Sequence, residues 1–62
     1  MKRVNLDNIT LYENDHVLID KMFYSTIDTK THQVCNFFEI IVNEKDENGD
    51  IFSSTQIMNL KI

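Results

Sequence analysis

Alanine does not occur in this chain, and neither does proline, while isoleucine occurs eight times beside four valines, four phenylalanines and two tyrosines. A chain so composed has little to build helices from. β-branched and aromatic side chains lose rotamer freedom against a helical turn and pack well on a pleated surface, so the composition selects strands. Length sets the second limit. The 62 residues make one domain, residues 1–62, and a chain of that size buries only ~60% of the surface its unfolded form exposes. Small domains of this kind rely on disulfides, metals, tight packing or self-association. Cys35 is the only cysteine, which excludes an internal disulfide and favours a reducing compartment with the thiol as a small apolar group.

Polar clusters divide the chain at Asp7-Asn8, Glu13-Asn14-Asp15, Asp28 to Thr31 and Glu47 to Asp50, each rich in residues that favour turns. The clearest segment between them is Val34 to Val42. Val34, Phe38, Ile40 and Val42 alternate to one side as the better core face, and Cys35, Phe37, Glu39 and Ile41 to the other. Asn48-Gly49 is a strong hairpin signal, read as a two-residue type I′ turn that returns the chain through Ile51 to Ser54. The tail has room for a short turn around Gln56 to Met58 and a closing strand, with Ile57, Leu60 and Ile62 as core contacts. Phe23 and Phe38 are the first choices for aromatic core residues.

Residues 10 to 27 admit two readings. Thr10 to Glu13 has capping-box spacing, and Leu11, Leu18, Ile19, Met22 and Phe23 fall on one helical stripe. Against the helix stand the strand formers from Val17 to Ile27 and the interruption at Asn14-Asp15. The strand reading gives an all-β domain. Asn14 to Ile19, the hairpin at Asn48 to Asp50, and Ile51 to Leu60 as strand, single turn and closing strand together resemble the small SH3-like barrels. That resemblance implies a five-stranded, partly open barrel and nothing about ligands, because the aromatic stretch and tryptophan of peptide-binding SH3 domains are missing. The alternative is an α+β domain with a helix at about residues 11–24 packed on a hairpin sheet.

Several chemistries find little support. Glu44 to Thr55 resembles an EF-hand loop at Asp46, Asn48 and Gly49, but Thr55 stands where the bidentate Glu is needed and a strand-like run precedes it. A solvated hairpin tip is the expectation, with no metal and no cofactor. His32 and Cys35, with His16, could supply metal ligands or a nucleophile pair, but residues three apart on a strand face opposite ways. Gly49 is the only glycine, so no glycine-rich phosphate loop is available. No enzyme is expected.

Net charge is −4, with Lys2, Arg3, Lys21, Lys30, Lys45 and Lys61 dispersed, which disfavours a nucleic-acid surface. Neither an export signal nor a membrane span is read in the sequence; Asn8-Ile9-Thr10 is taken as a chance sequon, and a cytoplasmic protein is expected. The expected function is a small protein-binding module, with a homodimer as an open possibility and a nucleic-acid-binding barrel as the alternative. Size, together with a composition rich in Ile, Asn, Lys and Asp and lacking Ala, as an AT-rich coding genome gives, suggests a phage or prophage accessory factor. The expected contact patch is Tyr24, Phe37, Glu39 and Ile41, with the hairpin tip from Asp46 to Asp50 as a secondary contact.

Overall fold

In the computed structural model, which describes residues 1–62, the chain runs as four antiparallel strands joined end to end: β1 (Lys2–Glu13), β2 (Val17–Ile27), β3 (Val34–Lys45) and β4 (Ile51–Lys61). They form one sheet in the order β1-β2-β3-β4, and β1 and β4 are free edges. The strand composition therefore decides residues 10 to 27, which become the end of β1, a turn and β2; the helix of the α+β alternative is absent. The expected five-stranded, partly open barrel is corrected to a four-stranded open sheet. Strands of 11 or 12 residues use up the chain, leaving nothing for a fifth.

Each connection is organised by one Asx side chain whose Oδ1 accepts two backbone N–H groups, the local bonding that makes these residues turn formers. Asn14 accepts from His16 and Val17, both at 2.8 Å. Asp28 accepts from Lys30 at 2.8 Å and Thr31 at 3.1 Å, and His32 closes that loop with a left-handed φ of 60°. Asp46 accepts from Asn48 at 2.9 Å and Asp50 at 3.0 Å.

The last of these corrects the expected type I′ turn. Only Gly49 has positive φ, at 84°, and its N–H donates to the Asp46 carbonyl at 3.1 Å. The hairpin is thus a wider loop, a four-residue turn with Gly49 at its end. The expected turn at Gln56 to Met58 is also corrected, because those residues continue β4 through a bulge. Asp7-Asn8, expected as a turn, lies inside β1 beside another bulge.

Four apolar residues stand unpaired where the register shifts: Leu6 and Leu11 on β1, Phe52 and Ile57 on β4. A bulge adds a residue to one strand, which bends and twists it locally. Both edges of the sheet are thereby distorted twice, a device that discourages another strand from pairing along them.

Candidate protein-interaction face

Register assigns every paired side chain to one of two faces. On the first, β2 and β3 place Asp20 opposite Ile41, Met22 opposite Glu39, and Tyr24 opposite Phe37. The expected patch of Tyr24, Phe37, Glu39 and Ile41 is therefore brought together on one face. Tyr24 and Phe37 stack with ring centroids 5.3 Å apart and planes at 12°. Tyr24 and Glu39, however, are among the four most buried residues of the chain, at 6% and 5% exposed.

Two polar chains cross this face of the sheet, and the first of them covers both residues. Arg3 on β1 lays its guanidinium 3.8 Å above the Tyr24 ring and donates from Nη2 to Glu39 Oε1 at 2.6 Å. Gln56 on β4 donates to Glu39 Oε2 at 2.6 Å, and the Tyr24 hydroxyl donates to Asn59 Oδ1 at 2.9 Å. The second chain lies nearer the other end. Thr10 donates to Asp20 at 3.3 Å, Asn43 donates to Asp20 at 3.3 Å and to the Leu18 carbonyl at 3.0 Å, and Ser54 donates to Asn43 at 2.6 Å. All four strands contribute, and no buried side-chain polar atom lacks a partner. The Arg3 hydrogen bond holds the Glu39 carboxyl below its ordinary value, against the opposing effect of burial and with help from Gln56 and the Arg3 charge.

The second face has the opposite character. Phe23 pairs with Phe38 across β2 and β3, Lys21 with Ile40 and Ile19 with Val42, while Ile9 and Tyr12 extend the face onto β1 and Met58 and Leu60 onto β4. The Phe23 and Phe38 rings lie 6.3 Å apart and tilted. Lys21 drapes over both, with Nζ 5.0 and 4.5 Å from their centroids, the posture of a long cation shielding apolar surface. This is the expected core face of Val34, Phe38, Ile40 and Val42. Nothing lies on it. The chain has one layer, so Tyr12 remains 54% exposed, Leu60 50% and Met58 41%.

The remaining candidates are scattered. Asp46 and Asp50 form the β3–β4 tip, nine residues along β3 from Phe37 and so ~30 Å away, and they do not join the aromatic patch. A polar cleft lies there between the two hairpin turns, bordered by Asp15, His16, Asp46 and Glu47. Lys45 ties the turns together, its N–H donating to the His16 carbonyl at 2.8 Å and its Nζ to Glu13 at 2.7 Å. His16 is separated from His32 and Cys35 by the length of β2. Cys35 is half-buried on the polar face opposite Thr26. The EF-hand-like loop is flanked by strands, with Asp46 committed to backbone amides. No helix is long and apolar enough to cross a membrane.

Sequence reasoning missed Arg3, Asn43, Gln56 and Asn59, which make the polar face self-sufficient. Only the pairing register brings them to Glu39 and Tyr24, and their spacing carries no sign of it. Met58 was placed in a turn, although its alternation with Leu60 was a strand signal. No protein-family model, curated protein or solved structure matches this chain.

Proposed function

We propose that this chain is a small non-enzymatic protein-binding module that works through its apolar face, centred on Phe23, Phe38 and Ile40. One observation carries this reading: a sheet spanning four strands has an apolar side with no layer over it. A sheet is stable when such a side packs against a second layer, and here the face is half-buried at its centre and exposed at Ile9, Tyr12, Val34, Met58 and Leu60, the kind of open apolar surface that marks an interaction site. The polar face is the weaker candidate, because Tyr24 and Glu39 already spend their contacts on Arg3, Gln56 and Asn59.

The test is capture of a protein by the tagged chain after nuclease treatment. Wild type is expected to retain its partner, and the double variant Met58→Ser/Leu60→Ser to lose it while keeping the wild-type circular dichroism spectrum, since both residues sit at the exposed rim of the face. Undiminished capture by the double variant would place the contact elsewhere. Capture that nuclease abolishes would move the function to nucleic acid.

A further inference from the structure

We infer that the partner on the apolar face is a second copy of this chain, the two sheets closing face to face into a two-layer sandwich. The inference rests on the interaction-face reading above and names its occupant.

The first argument is that the chain alone is not compact. Its radius of gyration is 14.1 Å over extents of 47 × 18 × 16 Å, against about 11 Å for a compact domain of this length. Its accessible surface is 4625 Å², where a folded monomer of 7.3 kDa exposes about 4,200 Å². No side chain is fully buried. A layer that the fold itself requires must be present whenever the chain is, and another copy meets that condition by construction.

Area points the same way. Strands of 11 or 12 residues, at ~3.3 Å per residue and ~4.8 Å between strands, give a face of ~700 Å². Two such faces in contact bury ~1,400 Å², inside the range of a specific, stable interface.

Charge agrees as well. Register places Lys2 and Lys21, Asp7 and Glu44 on this face, a balance of two cations and two carboxylates on a chain whose net charge is −4. The excess negative charge lies elsewhere, so two copies approach through a neutral surface, and a self-complementary two-fold contact lets each cation meet the partner's carboxylate. The rest of the molecule suits an exterior. The opposite face has its buried polar groups satisfied, and the bulges at Leu6, Leu11, Phe52 and Ile57 disfavour association along the edges.

Sedimentation equilibrium on the intact chain tests this. Wild type is expected at twice the chain mass, with a thermal midpoint that rises over an about hundredfold increase in concentration, as a dimer requires. Ile40→Lys is expected to weaken association at least about tenfold, a loss of one tenfold step being ~1.4 kcal/mol. If Ile40→Lys is unfolded, Met58→Lys at the rim gives the deciding mass, and a dimer undiminished in it overturns the inference, as does a dimer undiminished in a folded Ile40→Lys. A folded wild-type monomer with a concentration-independent midpoint also overturns it. In that case anilinonaphthalene sulfonate separates the two levels: dye bound by wild type and lost in Met58→Ser/Leu60→Ser leaves the interaction face standing with a different occupant, and no dye binding removes both.

Discussion

Tyr24→Ala is expected to unfold the chain or bring it to the edge of unfolding, with a loss of about 3–5 kcal/mol. A domain of this length holds only about 3–9 kcal/mol in total. Three interactions meet on that side chain: the stack on Phe37 at 5.3 Å, the Arg3 guanidinium at 3.8 Å and the hydrogen bond to Asn59 at 2.9 Å. Together they join β1, β3 and β4 across β2, so their loss releases both edges of the sheet. Tyr24→Phe keeps the ring and removes only the hydroxyl, leaving Asn59 without that donor, and is expected to cost about 1 kcal/mol. Urea unfolding of the two variants separates the contributions. Equal, small losses in both would mean that the ring does not hold the sheet together.

Arg3→Ala is expected to cost about 2 kcal/mol near neutral pH. Breaking a fully buried ion pair costs more, but Arg3 is nearly half exposed, and solvent compensates part of the loss. The pH dependence carries the sharper information. Because the folded-state carboxyl of Glu39 is held below its ordinary value of 4.5, its stabilisation is complete above that value and is lost as pH falls through the lower folded one. The gap between wild type and Arg3→Ala should therefore be constant from neutral pH down to about the ordinary carboxylate range and close below it. Asp28, lowered by its hydrogen bonds to the Lys30 and Thr31 amides, acts in the same direction in both proteins and leaves the gap untouched. A gap that persists unchanged in acid would show that Arg3 acts by covering Tyr24 and not through Glu39.

The parts of this fold that were legible in the sequence are those set by local chemistry. A strand's period of two from Val34 to Val42 divided the two faces of β3 as the pairing register does, and Phe23 and Phe38 do pair on the apolar one. Asn14, Asp28 and Asp46 announce the three connections because each satisfies backbone amides of its own loop. What was illegible depends on register. Gln56 to Met58 reads as a turn because nothing local distinguishes a turn from a bulge that lets β4 run on. The helical stripe of Leu11, Leu18, Ile19, Met22 and Phe23 is a coincidence of spacing, broken by a turn that begins at Asn14.

The candidate site illustrates the same division. Tyr24, Phe37, Glu39 and Ile41 share one face, the last three because a strand's period of two requires it and Tyr24 because register sets it opposite Phe37. That Arg3 would cover Tyr24 and bond to Glu39, 36 residues away, required knowing that β1 lies beside β2. Conversely, the apolar face looked like an ordinary core because a sequence gives no account of how many layers the chain itself will supply. Four long strands in one sheet supply only one.

The most direct test uses two neighbouring isoleucines that point in opposite directions. Ile40 lies on the apolar face opposite Lys21, and Ile41 on the polar face opposite Asp20. Light scattering of Ile40→Lys and Ile41→Lys, prepared and measured side by side, compares the same chemical change on the two faces. Loss of association in Ile40→Lys with association retained in Ile41→Lys is the predicted result; association retained in Ile40→Lys and lost in Ile41→Lys would contradict the account.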